Sequence, residues 1–350
     1  MVLVLWILAP VAPQLRALLP VEQSVMLLVA LLAACSVVGW RQGGSPWIAL
    51  FFVVAAVAMI AWPRQPGTGP IGFFERGWAF DTGNPYPALA RGWTLLVAAA
   101  FGLVSLFSPA QAFFARSLST LALAAGLGFV LVLVSPAGPA RISATMATEY
   151  ARRVDEATTQ LREAADLAKP KDAASAAQAD KINQAIEEET SYIAQWASLL
   201  FPALLALESL AAMAIAWSLY NKVSSAPIGP SLGRLRDFRF NDQLVWGVAV
   251  GASVFILPPF AEGKNAGLNL LLFFGALYVL RGLGILGWIS NGHIIRLVFA
   301  IVFFSVIAVT IAYQLGFLVA LGAPLTLLAF SLGIGDTWVD WRRLLQAKTV

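Results

Sequence analysis

Two charges stand in otherwise apolar sequence, and they are the first places to look for chemistry. Arg281 lies in FFGALYVLRGLGILGW, residues 273–288, and Glu208 lies in LLFPALLALESLAA, residues 199–212. A charge at bilayer depth costs about 2.5–3.5 kcal/mol on insertion scales, so such a residue is read first as functional. Arg281 has three readings. Its long side chain can snorkel to the headgroups, it can pair with Glu208 or with backbone carbonyls, or it can hold an anionic ligand in a cavity. Tyr278 sits one helical turn earlier on the same face, which Leu271 and Phe274 continue. Asn265 and Asn269 lie nearer the start of that run. Glu208, Asn269, Tyr278 and Arg281 are therefore the candidate substrate-binding residues. Asn269 also has a plain structural use, a hydrogen bond between helices.

Other chemistry has less support. Asp336 and Asp340 are one turn apart, a spacing that can bind a cation or move protons. With Arg342 and Arg343 beside them, they read as the solvated end of the last helix. The glycines around Gly333 are no phosphate loop, because no strand precedes them and no lysine follows. Cys35 is the only cysteine and His293 the only histidine. No intrachain disulfide and no Cys/His metal site can be built from these, and Cys35 reads as a small apolar residue in a helix. There is no HExxH, GxSxG or Asp-rich phosphate motif, so neither an enzyme nor a cofactor is expected. There is no ATP-binding motif either, so active transport would need a separate energising protein or an ion gradient.

The elements that must position these residues follow from composition. The chain has 350 residues, 59% hydrophobic and 12% charged, against about 25% charged in a soluble domain. Much of its surface must therefore face lipid. The net charge of +4 comes without a basic patch interleaved with aromatics, so no nucleic-acid partner is expected. Stretches of about 20 apolar residues mark spanning helices. Ten candidates run approximately 2–19, 23–40, 46–62, 92–109, 117–136, 197–220, 243–260, 266–288, 294–313 and 316–333. The first holds Pro10, Pro13 and Arg16, and the last two nearly merge, so eight to ten spans are expected. The segment 63–91 is rich in Gly, Pro and aromatics and reads as an interfacial loop.

Residues 140–196 form the one substantial polar segment. Ile142, Met146, Tyr150, Val154 and Leu161 recur on one helical stripe, Pro170 breaks the helix, and Ile182, Ile186 and Ile193 mark a second stripe. This predicts an amphipathic helical hairpin outside the bilayer. Taking the C-terminal tail as cytoplasmic puts Arg41, Arg116, Lys222, Arg234, Arg236, Arg239, Arg296, Arg342, Arg343 and Lys348 inside. Only Arg64, Arg76, Arg91 and Lys264 then lie outside, as the positive-inside rule requires. The hairpin then faces away from the cytoplasm.

Four features, in order, carry a resemblance. A span opens with a proline in LLFPALLALESLAA. A basic loop follows, LGRLRDFRFNDQLVW, then GLNLLLFFGALYVLRGLGIL, and finally LGIGDTWVDWRRL. Over roughly Phe201 to Leu345 the chain resembles the YybS-like bacterial membrane proteins, which are themselves distantly similar to the substrate-binding S-components of energy-coupling-factor transporters. The family pattern carries glutamine where this chain has Arg281. The resemblance implies capture of a small molecule as the lead.

The resulting expectation is an all-α, polytopic bundle. It comprises an N-terminal transmembrane part at 1–139, an extracytoplasmic hairpin at 140–196 and a C-terminal transmembrane part at 197–350. It sits in a bacterial inner membrane and binds or transports a small solute. The alternative is a membrane scaffold that recruits a partner through the hairpin.

Overall fold

The computed structural model describes residues 24–61, 86–109, 111–134, 138–167, 196, 198–289 and 326–341. Among them are nine α-helices and no strand, an all-α architecture as the composition predicts. The helices are α1 (Ser24–Arg41), α2 (Pro46–Ala61), α3 (Tyr86–Phe107), α4 (Phe113–Val134), α5 (Gly138–Leu167), α6 (Phe201–Val223), α7 (Val245–Ile256), α8 (Lys264–Ile289) and α9 (Thr326–Gly335). Helices α3, α4, α6 and α8 are long and apolar enough to cross a membrane, and α1, α2, α7 and α9 are shorter apolar helices. The candidate spans at 2–19 and 294–313, nearly all of the loop at 63–91 and the hairpin's second stripe lie outside the described residues.

The chain divides into two compact units, Met1–Leu232 and Gly233–Val350. The boundary falls in the basic loop. Helices α5 and α6 both fall within the first unit.

In the first unit α6 is the axis on which the others register. At its start, Phe201 and Leu205 meet Met26 of α1, Ile60 of α2 and Trp93 of α3, and Trp93 Nε1 donates to Ser209 Oγ at 3.0 Å. At its end, Trp217 packs edge-on to Phe101 of α3 and tilted against Phe113 of α4, with centroids 6.2 and 5.4 Å apart. Helices α1, α3 and α6 therefore run parallel, and α2 and α4 run against them. The turn from α1 to α2 is tight. Gly44 N donates to Gly39 O at 2.9 Å, and Gly43 takes φ +95°, a conformation glycine adopts without steric cost. Pro202 stands in the first turn of α6, where its missing N–H costs nothing.

In the second unit, bare backbones let helices approach closely. A Cβ on Gly267 would lie 2.7 Å from Phe255 N and 2.9 Å from Gly251 O, which fixes the crossing of α7 and α8. A Cβ on Gly282 would lie 1.7 Å from Ala329 O, and one on Gly333 would lie 1.9 Å from Tyr278 O. The glycines beside Arg281 and before Asp336 thus form one α8–α9 crossing, the small-residue contact that membrane helices favour.

Candidate functional site

The α8–α9 crossing sets the geometry around Arg281. The end of α9 delivers Asp336 directly opposite the guanidinium. Arg281 Nε donates to Asp336 Oδ2 at 2.9 Å and Nη2 to the Asp336 carbonyl at 3.1 Å. Nη1 donates to Asp242 Oδ1 at 2.7 Å, from the short 3-10 turn leading into α7. The Asp336 side chain is 0% exposed and that of Arg281 3%, whereas Asp242 is 57% exposed. The Phe240 ring closes the site, with Arg281 Cζ 5.3 Å from its centroid and Tyr278 edge-on at 5.1 Å. Arg281 faces protein, and its charge is met by Asp336 and Asp242 within its own unit. Of its three readings, pairing describes this geometry, but with partners other than Glu208.

Reading Asp336 and Asp340 together as a solvated helix end therefore needs correction. Asp336 is buried because α9 ends against the bare face of α8 at Gly282. Asp340 is paired with Arg239 at 2.6 Å, and this hydrogen bond holds the Arg239 guanidinium above its usual pKa. Around Asp336, its Oδ1 and Trp341 Nε1 are buried without a hydrogen-bond partner among the described residues. Asn269 donates to the Asn265 carbonyl at 2.8 Å, one turn back on its own helix. It lies about 18 Å along α8 from Arg281 at 1.5 Å per residue. Tyr278 and Arg281 come together, and Asn269 stands apart from them.

Glu208 belongs to a second polar centre, in the first unit. It is 2% exposed and stands seven residues after the first residue of α6, about 10 Å along its axis. It lies within electrostatic reach of the hydroxyls of Tyr86, at the start of α3, and Tyr150, on α5. Helix α5 supplies the rest. Glu149, Tyr150 and Arg153 are all buried. Arg153 Nε donates to Glu149 Oε1 at 2.9 Å, and the guanidinium stacks 4.7 Å from the Tyr86 centroid. Arg152 bridges Glu149, at 2.6 Å from Nη2 to Oε1, and Glu156. The Glu149 bond holds Arg152 above its usual pKa. Burial raises the Tyr150 phenol above its ordinary value, aided by the Tyr86, Glu208 and Glu149 oxygens and opposed by Arg153. Tyr150 packs edge-on to Phe201 at 6.2 Å, which seats α5 on the head of α6.

Sequence reasoning singled out Glu208 but missed its neighbours. Glu149 and Arg153 flank Tyr150 on α5 and are not among the residues singled out from the sequence. The available signal was their i, i+4 spacing around Tyr150, which belongs to the apolar stripe. Arg116, counted above at the end of a span, has its burial added by the structure. It is a fully buried residue in the first turn of α4. Among the described residues, no three His, Cys, Asp or Glu side chains are grouped to hold a metal ion.

Lipid-length apolar helices with ionisable groups buried among them define a polytopic α-helical membrane protein. The family model described as "Predicted membrane protein (DUF2232)" matches residues 93–323. That is well over half the chain, and the chain belongs to this family. No curated protein and no solved structure matches it.

Proposed function

We propose that the protein binds a small polar solute in its first unit, with Glu208 as the membrane-buried ligand group and α5 covering the mouth. It would do so as a binding or transport component, not as an enzyme, in a bacterial inner membrane. The observation that carries this reading is the burial of Glu208, about 10 Å inside an apolar helix, beside the ionised groups of α5. Ionisable side chains at such depth are costly, and they mark solute, ion or proton paths. A buried carboxylate such as Glu208 suits a solute bearing an amine. The motif resemblance to the YybS-like proteins, with the distant likeness of that family to S-components, would imply the same capture of a small molecule. Arg41, Arg116 and Lys222 lie at the opposite end of the unit from α5. The positive-inside rule turns that end to the cytoplasm and α5 away from it.

The test is a thermal-shift panel on the purified full-length protein, using amino acids, polyamines and water-soluble vitamins. At least one amine-bearing compound should raise the melting temperature, and Glu208→Gln should abolish that rise. A flat panel would overturn the proposal. A second reading has its own observation. Glu149 pairs with both Arg152 and Arg153 on α5, and the Arg153 guanidinium stacks on Tyr86 of α3. That favours a polar latch, which fixes α5 as a platform for a partner.

A further inference from the structure

We propose that the basic end of the first unit is a binding site for an anionic phospholipid, held in the groove between the ends of α1 and α3. The open groove offers about 650 Å³ and is lined by Arg41, Gln42, Leu103, Leu106, Phe107 and Pro109. One wall is cationic and hydrogen-bonding, and the other is aliphatic and aromatic. That is the profile of a headgroup with the start of its acyl chains. Free phosphate would leave the Leu103–Phe107 wall unused.

The charge balance at this end is one-sided. Arg116 is 0% exposed and sits behind the groove wall, its Nη2 donating to the Pro109 carbonyl at 2.8 Å and the Gln111 carbonyl at 3.1 Å. Its guanidinium lies 4.7 Å from the Trp217 ring centroid, and its Nε and Nη1 have no acceptor among the described residues. Lys222 stands in the last turn of α6. None of Arg41, Arg116 and Lys222 has an acidic partner among the described residues. Residues 24–61 and 86–134 contain no Asp or Glu at all. Glu208 is fourteen residues from Lys222, about 21 Å along the helix, and the acids of α5 are at the far end. A buried cation without a counter-charge is unfavourable, and basic pockets between membrane helices take anionic headgroups for this reason. Trp47 and Phe107, 76% and 83% exposed at this end, are aromatic anchors of the kind that sit at the headgroup level.

The test uses the full-length protein in detergent. Phosphatidylglycerol and phosphatidylcholine of matched chains are titrated, and retained lipid is counted by native mass spectrometry. With about a fivefold preference per basic group near a headgroup, phosphatidylglycerol should be retained at least fivefold better. Arg41→Gln should remove about fivefold of that preference, and Arg41→Lys should keep it. Equal retention of the two lipids would overturn the proposal, as would an Arg41→Gln protein with an unchanged preference. Millimolar inorganic phosphate that displaced phosphatidylglycerol and matched its thermal protection would assign the site to a free anion instead.

Discussion

Removing the Asp336 carboxylate should be among the most damaging single changes in the second unit. Asp336→Ala leaves Arg281, 3% exposed, with its charge met only by Asp242. Breaking a buried ion pair from one side costs about 3–5 kcal/mol. Asp242→Ala should cost far less, about 0.2–1 kcal/mol, because that carboxylate is 57% exposed and water can replace it. Replacing both members of the buried pair by apolar groups of similar volume is often neutral. Arg281→Met with Asp336→Leu should therefore recover most of the loss, with a coupling above about 2 kcal/mol. The assay is unfolding of the wild type, Arg281→Met, Asp336→Leu and the double mutant, with Asp336→Ala and Asp242→Ala alongside, in mixed micelles, followed by tryptophan fluorescence. Losses that simply add would refute the pair. Glu208→Leu combined with Arg281→Met should add, because Arg281 takes its partners from its own unit.

Three more outcomes follow from close contacts and burial. Gly282→Leu or Gly333→Val drives a side chain into a backbone carbonyl less than 2 Å from the new Cβ; each should abolish monodisperse protein on size exclusion, whereas the same change at Gly92, with open space around it, should not. Tyr150→Phe removes a buried hydroxyl that lacks a partner among the described residues and should leave stability unchanged or raise it by about 1 kcal/mol. The raised phenol pKa also has a sign: its stabilising effect is constant below the unfolded value near 10 and is lost as pH rises above it, so the mutant should show a shallower alkaline decline. In a Cys35→Ser background, Ser143→Cys should react with an impermeant thiol reagent on intact cells and Ser225→Cys should not.

The charges embedded in apolar runs were legible, because a single Arg or Glu among Leu and Gly breaks the pattern of a spanning helix. Their partners were less so. Asp336 follows a glycine-rich helix end and precedes two arginines, a context that reads as solvated. Its burial depends on Gly282 and Gly333 meeting across α8 and α9, a contact between segments some fifty residues apart in sequence. Arg153 and Glu149 are one turn apart on a helix whose charged face looks exposed until Tyr86 is brought over it. Spacing along one helix reports that helix's faces. What covers a face is decided by other elements, and here by residues that carry no charge.

The most direct test of solute capture is whether a small polar reagent reaches the polar centre of the first unit. Leu205 is buried one turn before Glu208 on α6. In a Cys35→Ser background, Leu205→Cys should react with a small cationic methanethiosulfonate in native membranes, and an amine-bearing solute from the thermal-shift panel should slow that reaction. An introduced thiol that stays inert in native membranes yet reacts fully once the protein is denatured would contradict solute access and leave the cluster as a structural latch for α5.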